Sequence, residues 1–326
     1  MDDIVDGISL NKDSFYGKKV WITGHRGMLG SALVRSFENE GAELLLVSRQ
    51  ELDLRDKYKV TEWVETYRPE IIFHAGAKVG GIYANKTMPA EFLHDNLLIQ
   101  SNVIDAAYKI KVKKLLFVAS NCIYPQCAPQ PVSEEMLMSG KLEENIHFYA
   151  ISKIAGIEMC RAYRKQYGCD FISVIPPNLY GPGDNYHPEN SHVVAGILSR
   201  AHDAKLTGKR ELVVWGDGTP RRELLYVDDA ADAMKYLMAT KVAEDLFNVG
   251  CNHDLSIAEI ADFIVDVVGF KGNLLYDTTK PNGTMGKLLD SSRIYKLGWH
   301  PRVDEKAGLR NAYRDLLSRS EPQNKG

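Results

Sequence analysis

The stretch KKVWITGHRGMLGS, residues 18–31, limits the possible folds more than any other part of the chain. A short apolar run ends in glycine, and apolar residues at helical spacing follow at once. The run reads as a first strand and the spacing as a first helix, with Gly24, Gly27 and Gly30 in the turn between them. Glycine there lets the backbone approach a pyrophosphate, whose charge is met by the helix N-terminus. The spacing is G-x-x-G-x-x-G, not G-x-G-x-x-G, so the glycines carry weight only through their strand–turn–helix context.

Strand and helix then alternate with short connections. AELLLVSR (42–49), EIIFHAGA (70–77), KKLLFVAS (113–120) and CDFISVIPPNLYG (169–181) read as strands two to five. KYKVTEWVETYRP (57–69), HDNLLIQSNVIDAAYKIK (94–111) and YAISKIAGIEMCRAYRKQYG (149–168) read as the helices between them. This order predicts an α/β fold with a doubly wound parallel sheet of Rossmann type. The near-continuous apolar strands predict helices on both faces. Beyond Pro182 the alternation weakens, and a smaller C-terminal substrate domain is expected over 183–326, beside a cofactor domain over 1–182. Within the second part, residues of about 224–250, with helix-like VDDAADAMKYLMAT and strand-like DLFNVG, are expected to return to the main sheet. Residues 1–17 read as a polar lead-in without the pattern of a secretory signal, and SRSEPQNKG as a polar tail.

Composition excludes several classes. The net charge of −3 leaves no basic footprint for nucleic acid. No run approaches the ~18 apolar residues of a membrane span. The five cysteines are scattered, with no C-x-x-C pair and no zinc-like Cys/His spacing. Free thiols, no metal and a cytoplasmic location are expected.

Cofactor choice is read after the second strand, where an acidic residue would bind a ribose 2′-hydroxyl. Arg49 stands there instead, and Arg26 lies in the glycine turn. Two guanidinium groups suit a 2′-phosphate, so NADP(H) is expected rather than NAD. Asp53 with Leu54 is spaced to reach the adenine.

Tyr149 and Lys153 form Y-x-x-x-K near the start of a helix and share one face. A lysine ammonium beside a tyrosine lowers the phenol's pKa and lets it exchange a proton. Ser120, at the tip of the fourth strand, is placed to hold a substrate oxygen. Together these suit reduction of a carbonyl. Cys122 follows two residues later, and a plain reductase does not need it. A thiolate there would abstract a proton next to a ketone, and His187 or His192 would return one on the opposite face. From residue types alone, an inert buried cysteine is the other reading.

The glycine turn, Ser120 and Y-x-x-x-K together resemble the extended short-chain dehydrogenase/reductase family. AKVGGI (77–82), SNCIYP (120–125), NLYGPGDNYHPENSHV (178–193), VVWGDGTPRRELLYVDD (213–229) and KLLDSSRIYKLGW (287–299) narrow the resemblance. They are similar to its GDP-4-keto-6-deoxy-D-mannose 3,5-epimerase/4-reductases. The resemblance implies an NADPH-dependent enzyme acting on a GDP-sugar as a homodimer, through the helices at 94–111 and 149–168. It implies Ser120, Tyr149 and Lys153 as the reductase set, with Cys122 and His192 as epimerase base and acid. Met28, Leu29, Pro176, Asn178, Leu179, Lys153 and His192 join the cofactor site, and Arg200, Trp215, Arg222 and Asn282 grip the GDP-sugar. The chain departs from the pattern at Asn121, Pro177 and Asn282. A related GDP-4-keto sugar, 3,6-dideoxy or 6-deoxyheptose, is the alternative substrate, and a non-catalytic NADP-binding protein the alternative class.

Overall fold

The computed structural model describes residues 14–187, 191–280, 282 and 285–320. Most of the expected lead-in (1–13) and the end of the tail (321–326) lie outside the described residues. The first half runs β1 (Lys19–Thr23), α1 (Met28–Ser36), β2 (Glu43–Leu45), α2 (Lys57–Tyr67), β3 (Ile71–His74), α3 (Ile82–Thr87), α4 (Pro89–Lys109), β4 (Lys114–Val118), α5 (His147–Tyr167) and β5 (Phe171–Ile175). Local chemistry sets several of these starts. Asp56 caps α2, its side chain accepting from the N–H groups of Tyr58 and Lys59. Pro89 opens α4, where its missing N–H costs nothing.

The second half runs β6 (Asn178–Tyr180), α6 (Val193–Leu206), β7 (Glu211–Trp215), β8 (Arg221–Arg222), β9 (Leu224–Tyr226), α7 (Val227–Ala239), β10 (Leu246–Asn248), β11 (Leu255–Ser256), α8 (Ile257–Val268), β12 (Asn273–Asp277), α9 (Ser292–Lys296) and α10 (Glu305–Ser320). The main sheet has six strands in the order β10-β5-β4-β3-β1-β2. Every pairing in it is parallel, including β10 on β5, the return expected of DLFNVG.

Alternate strand residues face two apolar layers. Trp21, Ile72, Leu115 and Phe117 pack on the side of α4 and α5 with Val103, Ile104 and Ile157. Val20, Ile22, Phe73 and Leu116 pack on the other, with Leu33 of α1 and Met234 of α7. Each such side chain contributes about 1.5–3 kcal/mol on burial. A third cluster, with Leu198, Ile260, Ile264 and Leu316, joins α6, α8 and α10 in the second half.

Two strands differ from expectation. The fifth stops at Ile175, because Pro176 and Pro177 have no N–H to continue the ladder. The chain resumes as β6 and pairs with β9 instead. The second strand spans three residues, Glu43–Leu45, and does not reach Arg49. No helix among the described residues is long and apolar enough to cross a membrane.

The halves are tied behind the site. Val132 N donates to Leu288 O at 2.8 Å and Asp290 N to Val132 O at 2.9 Å. Asn248 Nδ2 donates to the carbonyls of Val132 (2.8 Å) and Asp290 (3.0 Å), and its Oδ1 accepts from Tyr124 Oη at 2.6 Å.

Helix α5 lies close against the sheet at Gly156, where a Cβ would overlap the Phe117 ring and approach Gln100 Oε1 to 3.0 Å. Gly156→Val is expected to cost about 1–3 kcal/mol through overpacking. A urea midpoint equal to that of the unaltered protein would show that this contact yields freely.

Candidate active site

The sheet order reverses between β1 and β3, and ligands of such sheets bind in the crevice at the carboxyl ends of those strands. A cavity of about 550 Å³ lies there, and Gly24, Arg26, Gly27, Arg49, Asp53 and Leu54 line it. Thr23 Oγ1 meets His74 Nδ1 at 2.8 Å and accepts from Gly76 N at 2.9 Å, tying the tips of β1 and β3 together. Gly24 has φ +70°, and a Cβ on it would stand 2.9 Å from Gly76 Cα. A Cβ on Gly30 would collide with the Gly24 carbonyl. These two glycines let the turn fold back on itself.

The cradle fits a dinucleotide phosphate chain. Gly27 precedes α1 as an N-cap without a side chain, leaving the first N–H groups of the helix for an anion. His25 Nδ1 is buried without a hydrogen-bond partner among the described residues. The exposed guanidinium groups of Arg26 and Arg49 add positive charge. Among the predicted cofactor residues, Met28 and Leu29 begin α1 and pack partly into the core, and Leu179 packs on the same apolar layer. Pro176 follows β5, and Asn178 N bonds Glu223 O at 3.2 Å.

Two features of this cavity were missed in the sequence. Glu51 holds the turn that presents Arg49, accepting from Ser48 N (2.9 Å) and Ser48 Oγ (2.6 Å). Serine followed three residues later by glutamate was the available signal. Asp53 reaches the cavity, but Arg55 grips its carboxylate at 2.6–3.1 Å and holds its pKa at about 2.

The second cluster sits where β4 ends. Ser120 has extended backbone and leads into a 3-10 turn, Asn121–Ile123, that buries Cys122. Burial pushes the Cys122 thiol up to about 11, against a hydrogen bond from Ser120 and the charges of Lys287 and Lys153. Lys153, one turn along α5 from Tyr149, is buried. Its Nζ donates to Val118 O at 2.9 Å and stands 4.8 Å over the Phe117 ring and 5.9 Å from the Tyr149 ring centre. Burial brings this ammonium down to about 8, with Cys122 opposing. The structure corrects one expectation. Burial and the Cys122 charge raise the Tyr149 phenol rather than lower it. That keeps the hydroxyl protonated, the form that donates.

The remaining residues lie on the second half. His192 is exposed and forms the N-cap of α6. No hydrogen bond among the described residues joins it to Cys122. His187 is exposed beyond Asp184, with residues 188–190 of the same segment outside the description. Arg200 stacks its guanidinium 5.4 Å from the Trp215 ring, and its buried Nε has no hydrogen-bond partner among the described residues. Trp215 is half exposed, and Lys280 Nζ also stands 5.9 Å from its ring centre. Burial lowers the Arg222 guanidinium, against the charge of Glu143. Asn282 is paired with Asp217, accepting its N–H at 3.0 Å and donating to its carboxylate at 2.9 Å. Lys287 and Glu143 lie beside Cys122, and although Lys287 opens the quoted stretch KLLDSSRIYKLGW, neither was singled out in the sequence. All five cysteines are free. No group of three or more His, Cys, Asp or Glu side chains among the described residues is placed to hold a metal.

The model of the NAD dependent epimerase/dehydratase family matches residues 20–250. The chain is 45% identical over 302 residues to GDP-L-fucose synthase of Sinorhizobium fredii, covering 93% of this chain and 96% of that one. It is 46% identical over 310 residues to GDP-L-fucose synthase of Escherichia coli, covering 92% and 97%. Among solved structures, a GDP-L-fucose synthetase from Naegleria fowleri bound to NADP superposes with a TM-score of 0.86 at 26% identity, covering 93% and 95%.

The cavity geometry yields a prediction about cofactor choice. Arg49→Ala is expected to weaken NADPH binding by about tenfold to a hundredfold, the worth of a charge-assisted hydrogen bond, and NADH binding far less. Equal losses in titrations with the two cofactors would remove Arg49 from 2′-phosphate recognition.

Proposed function

The chain belongs to the NAD dependent epimerase/dehydratase family, and we propose that it converts GDP-4-keto-6-deoxy-D-mannose to GDP-L-fucose. In this reading C3 and C5 are inverted first and the C4 ketone is then reduced. The observation that carries it is the buried Cys122 thiol, on a turn packed against α5, the helix on which half-buried Tyr149 and buried Lys153 stand one turn apart. Lys153 and Tyr149 suffice for a reduction. Only the inversions call for an added thiol.

NADPH, when bound, supplies the hydride for the ketone. The uncapped start of α1 binds the diphosphate, and Arg26 and Arg49 hold the 2′-phosphate. The C4 ketone acidifies the neighbouring C–H groups, and Cys122 takes the proton from C3 and from C5 in turn. His192 returns a proton from the opposite face. Ser120 holds the C4 oxygen, and Tyr149, kept protonated by burial, gives that oxygen its proton. Lys153, fixed to the end of β4, orients the ribose and the phenol. The orphaned Arg200 donor, the half-exposed Trp215 ring and the Arg222 guanidinium are proposed to hold the GDP moiety. A homodimer through α4 and α5 belongs to the same proposal. The exposed Leu97 of α4 and Phe148 and Ile151 of α5 support it.

Two variants test the assignment of roles. Cys122→Ser is expected to keep NADPH binding but lose at least ~100-fold in solvent-deuterium exchange at C3 and C5. Unimpaired GDP-L-fucose formation by this variant, read by NMR, would sink the role given to the thiol. Tyr149→Phe is expected to do the reverse, slowing NADPH oxidation by about 10²–10⁴-fold while exchange continues. Normal reduction would take Tyr149 out of the reaction.

A further inference from the structure

Burial opposes the very charge that a Cys122 base has to carry. Something nearby must favour the thiolate. The charged and titratable groups facing Cys122 come from three elements. Lys153 and Tyr149 are on α5, Glu143 lies on the chain leading into it, and Lys287 arrives from the segment before α9. Lys153 is committed to the Val118 carbonyl and the Tyr149 side of the pocket.

Lys287 is placed differently. It is buried, at 8% exposure. Its Nζ donates to Tyr124 O at 2.9 Å, on the residue that closes the 3-10 turn carrying Cys122. The Glu143 carboxylate stands 3.9 Å away. A buried lysine gains little for stability from one carbonyl and a long ion pair. Its place beside a thiol has a use if that thiol must ionise.

We propose that Lys287 is a positioning residue for the inversion steps: held over the 121–124 turn by the Tyr124 carbonyl and Glu143, its ammonium favours the thiolate of Cys122. Glu143 opposes it and limits how far the thiol is drawn down. The proposal rests on the reading of Cys122 as the inverting base.

Site-resolved alkylation by iodoacetamide, followed by mass spectrometry on the full chain without substrate, reads the thiolate directly as pH is raised. In Lys287→Met the Cys122 curve is expected to move up by roughly one pH unit, about tenfold slower near neutrality. Lys287→Arg, which keeps the charge, should stay within about threefold of the unaltered protein. Glu143→Gln should move the curve in the opposite direction. Cys127, exposed on the same loop, is the internal control and should not move in any variant. An unmoved Cys122 curve in Lys287→Met overturns the proposal, as does a joint change at Cys122 and Cys127. Should Lys287→Met fail to fold, Lys287→Gln decides, since it removes the charge but keeps a donor for the Tyr124 carbonyl, and an unmoved Cys122 curve there overturns the proposal. Because no substrate is present, this outcome is separate from the fate of the base assignment, which deuterium exchange in Cys122→Ser decides.

Discussion

The hydrogen bond from the Lys153 ammonium to the carbonyl of Val118 fixes the centre of this protein. It joins the last residue of β4 to the first turns of α5, so the strand tip with Ser120 and Cys122 and the helix face with Tyr149 keep one spacing. A buried cation without such an acceptor would be costly. The Phe117 ring beneath it and the tight seat of Gly156 on that ring keep the helix close enough for the bond to form.

Much of this was legible in the sequence because local patterns fix it. The glycine turn, the alternation of strands and helices and the return of DLFNVG to the sheet follow from periodicity and turn chemistry. Arg26, Arg49, Asp53 and Leu54 came from spacing after β1 and β2, and all four line one cavity. What stayed hidden depends on contacts between distant segments. The commitment of Asp53 to Arg55, the pairing of Asn282 with Asp217 and the placing of Lys287 beside Cys122 leave no periodic trace. The split of the fifth strand was written in Pro176 and Pro177, but its new partner β9 lies more than forty residues on. The direction of the Tyr149 shift also escaped, since burial outweighs a neighbouring lysine and burial is a tertiary property.

The pocket favours neutral forms throughout. Burial raises Cys122 and Tyr149 and lowers Lys153 and Lys287. In such a setting a proton donor comes without further help, whereas a base must be made by its neighbours. A reductase asks only for the donor. Adding inversion to the same pocket therefore asks for added charge more than for added reacting groups.

The ties among Val132, Asn248 and Leu288–Asp290 bear on how such a chain can be divided. The segment recognised by the family model ends at residue 250 and contains all five residues given chemical roles. Yet the loop that follows Cys122 is hydrogen-bonded to backbone some forty residues beyond that limit. A fragment cut at the family boundary would retain the sheet while releasing the loop beside its thiol. Homologous recombination at that seam would likewise pair a loop with a foreign strap. The structural unit that holds the loop beside the thiol therefore extends to residue 290, past the limit of the family model.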